Sequence, residues 1–199
     1  MNNSGLETYL FLKLMNEPQE TICRIVLSIL KIDKFRDNIN TPAYSYILSQ
    51  IIRQYAEINN NYQKTWKNIE LCRQHHQFTS RAASVLDLDE YQNPTDEKIW
   101  QVLHYEHIVP IKVIINELLG LYPCKLNYKN VVKIMRQNEV VILTKKEASV
   151  LDGSVSQLYC LDGELVPGKG MRSTGNKKKR LEAISAQIDE RYLNNSINQ

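Results

Sequence analysis

The chain is short of the two residues that make tight turns, with seven glycines and six prolines among 199 residues. That scarcity argues against a sandwich or barrel, whose many short strands need frequent turns. Paired cysteines are missing too. Cys23, Cys72, Cys124 and Cys160 are spread along the chain with no CxxC pair, which excludes a zinc ribbon or knuckle. A disulfide framework needs an oxidising compartment. The start, Met1-Asn2-Asn3-Ser4-Gly5, lacks the basic region and apolar run of an export signal. No apolar stretch approaches the ~20 residues a membrane span needs. There is no GxSxG nucleophile elbow and no GxxxxGK[ST] phosphate loop. These absences lead us to expect a cytoplasmic protein with reduced, mostly packed thiols and no membrane partner.

What is present suits one large globular domain or two small ones: 43% hydrophobic and 24% charged residues, enough for a real core. The net charge of +3 is too small to mark the whole chain as a nucleic-acid binder. Its distribution says more. Between Val166 and Arg180 stand Lys169, Arg172, Lys177, Lys178, Lys179 and Arg180, with no acid among them. The glycines of Pro167–Gly175 would let backbone N–H groups approach phosphate, and the cations would bind it by counterion release. The alternative is a solvated surface loop.

Apolar spacing of period 3.6 predicts helices over 6–16, from Pro18 through Leu30, and from Thr41-Pro42 through Tyr55. It predicts further helices around Trp66, Ile69 and Leu71, over 79–88, and from Asn93-Pro94-Thr95-Asp96 through Ile99, Trp100 and Leu103. Helices at 111–119, ended by Gly120, and over about 127–137 follow. Val140-Val141-Ile142-Leu143-Thr144 is the clearest strand, with a helix from Lys145 to Leu151 behind it. Asp162-Gly163 predicts a hairpin turn, and a terminal helix is expected over about 176–193. The expected fold class is α+β and predominantly helical: a helical region 1–92, then a mixed region 93–199 with a small strand–helix core, a hairpin and a basic tail.

One segment suggests chemistry. Tyr105-Glu106-His107-Ile108-Val109-Pro110, followed later by Val141-Ile142-Leu143-Thr144-Lys145-Lys146-Glu147 and a helix, resembles the two halves of the HNH, or ββα-metal, endonuclease motif. The resemblance covers about 50 residues, from Leu103 to Gly153. It implies that His107 is the general base and Glu106 a metal-holding acid, with a second ligand from the helix. Ala148 stands where that helix usually presents histidine or asparagine, which leaves Glu147, Ser149 or Asp152, and we take Glu147. The implied cofactor is magnesium or manganese, and the implied reaction is phosphodiester hydrolysis in DNA, or RNA. A restriction or phage-defence role fits by analogy, and a homodimer is left open.

The same residues admit plainer readings. His107 can be a hydrogen-bonded packing residue on a helix running from Thr95 through Trp100 and Leu103. His75 and His76, between Arg73 and Arg81, can contact nucleic acid or be a solvated helix end. The whole chain can be a helical nucleic-acid-binding or regulatory protein that needs no metal, or a protein-interaction module.

Overall fold

The computed structural model describes residues 17–59, 61–66, 68–88, 91 and 96–193. The helix expected over 6–16 and the start signal at 93–95 lie outside them. The described chain is α+β and mostly helical, as its composition implies.

Helix α1 (Glu17–Leu30) buries Ile22, Cys23, Val26 and Leu30, one stripe at helical spacing. After a short α2 (Asp33–Asp37), α3 (Pro42–Glu57) starts with proline at its first position, where no N–H is needed, and buries Leu48, Ile52 and Tyr55. These stripes meet those of two later helices, α7 (Ile111–Leu119) and α8 (Tyr128–Met135), in one apolar cluster that includes Ile114, Leu118, Val131 and Met135.

Between these helices the chain passes through α4 (Ile69–His75), the two-residue strand β1 (Gln77–Phe78), α5 (Ser80–Leu86), the single-turn α6 (Asp96–Ile99) and β2 (Leu103–His107). It then returns as β3 (Val140–Thr144). β3 is central: β1 lies parallel on one side and β2 antiparallel on the other. The front half of the chain therefore contributes a strand to the sheet of the back half. β2 is the first departure from the helical expectation. Leu103 and His107 are spaced for a helix, but they are also two of three alternate residues on one face of a strand. Pairing with β3 in register, Glu106 with Val141 and His107 with Val140, decides between the two periods.

The sheet is covered on both faces. Val140 and Ile142 pack with Phe78, Ala82 and Leu103 in a second cluster, and Val141 and Leu143 with Val150, Leu151 and Ile184 in a third. α9 (Lys145–Asp152) follows β3 directly and supplies the third cluster. It begins with a capping box, in which Thr144 Oγ1 accepts from Glu147 N while Glu147 accepts from Thr144 N. The hairpin β4 (Leu158–Leu161) and β5 (Glu164–Pro167) turns through Asp162 and Gly163, both at positive φ. The terminal helix is shorter than expected: α10 spans Lys177–Ala183, and Ser185 at φ 49° ends it. The chain then runs extended beside β1, with Ser80 N donating to Gln187 O and Asp189 N to Phe78 O. Among the described residues, no helix is long and apolar enough to cross a membrane.

Phe78 has no exposed surface, whereas Tyr46 on α3 is 65% exposed. Phe78→Ala should cost about 3–5 kcal/mol in urea unfolding, and Tyr46→Ala no more than about 0.5 kcal/mol. Equal midpoints for the two variants would contradict the packing of β1 into the core.

Candidate functional site

Strand pleating sends neighbouring side chains to opposite faces. His107 and Glu106 are therefore not brought together. His107 lies on the face turned to α3, and Glu106 on the face turned to α9.

On the first face His107 is buried. Its Nδ1 lies 2.8 Å from Asn138 Oδ1 and its Nε2 3.3 Å from Glu57 Oε1. The amide of Asn138 is oriented by its own donation to Ile52 O at 2.5 Å, so its oxygen faces the imidazole. Both ring nitrogens thus face acceptors, and neither directs a lone pair at solvent. Glu57 also accepts from Gln54 Nε2 at 3.1 Å. Beside this pair, His76 Nε2 sits 2.7 Å from Thr65 Oγ1 and 2.9 Å from the Tyr105 hydroxyl. His76 is 1% exposed, so it is neither a solvated helix end nor a nucleic-acid contact. Burial, reinforced by His75 and His107, pushes its pKa down to about 3. Burial likewise pushes the Tyr105 phenol well up.

On the second face His104 and Glu106, two residues apart, stand side by side with Nε2 and Oε2 3.1 Å apart. Arg180 reaches them from α10. Its Nη2 donates to Glu106 Oε1 at 2.8 Å and to Asp152 Oδ1 at 3.2 Å, and its Nη1 to Met171 O. The guanidinium has no exposed surface. Burial raises the pKa of Asp152, opposed by Arg180 and assisted by Glu106. Asp152 also lines a cleft of about 350 Å³ with Gly153, Tyr159, Gly170 and Arg172. Glu147 is elsewhere, at the other end of α9. It is wholly buried and accepts from Thr79 Oγ1, Thr144 and Arg81.

The basic stretch divides in two. Arg180 turns inward, and Lys177 Nζ donates to Gln77 Oε1 at 2.9 Å and to Glu139. Lys178 and Lys179 face solvent, as does Arg172, while Lys169 is half-buried. The N–H groups of Gly168, Lys169 and Gly170 are committed to the backbone, donating to Gln157 O, Val150 O and Gly153 O respectively. A Cβ at Gly168 would lie 2.4 Å from the backbone of Gly153, so this glycine serves chain packing, not phosphate approach. Two exposed cations that sequence reasoning left aside, Lys145 and Lys146, begin α9. With Arg81 they line a cleft of about 540 Å³ that also takes in Gln101, Leu161 and Asp162. The pairing of His104 with Glu106 was signalled by their spacing of two, once the segment is read as a strand.

Glu106 and Asp152 offer hard carboxylate oxygens of the kind magnesium or manganese prefers, but the guanidinium of Arg180 bridges them. Among the described residues no three His, Cys, Asp or Glu side chains are grouped to hold a metal ion. As arranged, these residues do not fit one. The free cysteines are Cys23 and Cys72, buried, and Cys124 and Cys160, exposed. Compared with family models, curated proteins and solved structures, the chain matches none.

His107→Ala removes the imidazole that faces Asn138 Oδ1 and Glu57 Oε1 and should lower stability by about 1–3 kcal/mol. His104→Ala, at a half-exposed side chain, should change it by less than about 0.5 kcal/mol. Chemical denaturation of both variants checks this. His76 makes stability depend on pH. It is neutral in both states above its ordinary value of 6.5. Below that the unfolded chain takes a proton that the folded chain refuses until about 3. Stability should therefore fall with falling pH across that window, by up to ~1.4 kcal/mol per unit. His76→Gln should flatten this limb, and an unchanged slope would contradict it.

Proposed function

We propose that the protein binds nucleic acid through the phosphate backbone, using the cations arrayed around α9. The observation that carries this reading is an excess of exposed cations over exposed acids around α9. Glu106, Asp152 and Glu147 turn inward and are compensated by Arg180 and Arg81, and of the exposed acids here, Asp162, Glu164 and Glu182, Asp162 pairs with Arg81 and Glu182 with Lys178. The cations Lys145, Lys146, Arg172, Lys178 and Lys179 stay exposed. Lys145 and Lys146 open α9, and Lys169 is tied by its N–H to the last turn of the same helix. α10, carrying Lys178 and Lys179, packs through Leu181 and Ile184 into the same cluster. α9 is eight residues, about 12 Å. Duplex DNA presents a charge every ~1.7 Å along its axis, so cations at both ends of one such helix can meet several phosphates. Backbone contacts of this kind position a protein without reading bases.

The test is a fluorescence-anisotropy titration of mixed-sequence duplex and single-stranded DNA over a range of salt. The parent should lose affinity linearly in log salt. Lys145→Ala, Lys146→Ala, Lys178→Ala and Lys179→Ala should each flatten the duplex slope by ~0.9 for every phosphate that is no longer neutralised. Binding without salt dependence, or variants that all match the parent, would overturn the proposal.

One observation favours a second reading, the metal-dependent endonuclease. The antiparallel pair β2 and β3 followed at once by α9 is a strand–strand–helix unit, and Glu106 and Asp152 meet on its helix side. On this reading a metal ion would have to displace Arg180 from Glu106 and Asp152, with His104 beside them and His107 a buried support. Incubation with supercoiled DNA in magnesium or manganese separates the two. An endonuclease nicks the plasmid, and Glu106→Gln and Asp152→Asn stop it at unchanged DNA affinity. A binding protein leaves the plasmid intact.

A further inference from the structure

Helix α3 carries a polar ladder where it meets α7. Ser45, Ser49 and Arg53 are spaced by four, so they stand one above another along one face. On α7, Lys112 and Asn116 share the same spacing. Both ladders line one cleft of about 430 Å³, joined by Asn40 from the turn before α3. The apolar part of its lining is Ile39, Ile111 and Ile115, all buried members of the first core cluster. The cleft thus lies among the helices of that cluster, not in the one that α9 supplies.

The charge of this cleft is uncompensated. Arg53 is half-buried and Lys112 exposed, and among the described residues neither side chain has an ion pair. Each of the two helices has one acid, and both acids are engaged elsewhere. Glu57 faces His107 and Gln54, and Glu117 accepts from Gln137 Nε2 at 2.7 Å. A partly buried guanidinium ordinarily holds a carboxylate, as Arg36, Arg81 and Arg180 do here. Donors are unspent as well. The Ser49 hydroxyl donates to Tyr46 O, but the side chains of Asn40, Ser45 and Asn116 have no hydrogen-bond partner among the described residues. We propose that this cleft binds a small phosphomonoester, its phosphate held by Arg53 and Lys112 and its organic body over the isoleucines. A phosphomonoester carries about 1.5–2 negative charges at neutral pH, which the two cations match. The guanidinium fork takes two phosphate oxygens at once, and the free hydroxyl and amides serve the third. The volume is that of a small-molecule pocket. This site is separate from the cations around α9, so it stands whether or not those bind nucleic acid.

Amide NMR shifts of the full-length chain, titrated with phenyl phosphate, test the proposal. Saturable changes should appear at 40–53 and 111–119, with a dissociation constant of about 1 mM or lower for so small a ligand. Inorganic phosphate should move the same signals but bind more weakly, because it leaves the isoleucines uncovered. Benzyl alcohol, which has no charge, should not move them. Lys112→Gln, at an exposed side chain, and Arg53→Gln should each raise the dissociation constant roughly tenfold or more, as loss of a hydrogen bond to a charged group does. Arg53→Lys keeps the cation without the fork and should fall between. Lys129→Gln, on α8 outside the cleft, should change nothing. Shifts that do not saturate or that lie elsewhere would overturn the proposal. So would equal affinity for phenyl phosphate, inorganic phosphate and sulfate, or binding that Arg53→Gln and Lys112→Gln leave unchanged. Displacement of phenyl phosphate by mixed-sequence duplex DNA would overturn it too, giving the cleft to the nucleic-acid backbone.

Discussion

A guanidinium with no exposed surface sets the terms for half of this molecule. Desolvating an ion costs several kcal/mol even after relaxation, so it persists only where close partners compensate it. For Arg180 those partners are Glu106 on β2, Asp152 at the end of α9 and the carbonyl of Met171. One side chain thereby ties together a strand, two helices and the loop between them. It also draws the local acids inward. The outer surface around α9 is left with more cations (Lys145, Lys146, Arg172, Lys178 and Lys179) than acids (Asp162, Glu164 and Glu182), and the way one buried cation is neutralised contributes to that excess. The same contacts engage the carboxylates that a metal would require.

β3 is the second constraint. Buried on both faces, it divides two environments of different polarity. Towards α9 the sheet presents the Arg180 cluster. Towards α3 it presents the network of His107, Glu57, Asn138, His76, Tyr105 and Thr65. Groups in such a network cannot lose one partner without exposing another to an apolar surround. The pairing of Glu57 with His107 therefore fixes how α3 sits against β2, as Arg180 fixes how α10 sits against it.

Much of this was legible in the residues. Five β-branched or aliphatic residues at 140–144 marked the central strand, Thr144 and Glu147 the helix start, and Asp162-Gly163 the hairpin. The segment 103–107 was ambiguous because five residues satisfy a period of 2 and of 3.6 about equally, and only the partner strand decides. The run Lys177-Lys178-Lys179-Arg180 read as one cationic tract, yet a helix splits it. Positions 177 and 180, one turn apart, share the face that meets the protein, while 178 and 179 face water. That split was readable from helical spacing; that an arginine would be tolerated inside was not, because its partners are 28 and 74 residues away. The burial of His76 left no sequence mark either, since Thr65 and Tyr105 come to it from other elements.

The central claim is that one side of the molecule, around α9, meets nucleic acid while the buried polar network on the other side of the sheet stays out of contact. Hydrogen–deuterium exchange with and without a saturating mixed-sequence duplex tests it most directly. The account predicts added protection at 145–149 and 168–179, with no change at 54–59 or 104–107 beyond what the fold already protects. Protection centred on α1 and α3, or no protection anywhere under conditions of measured binding, would contradict it.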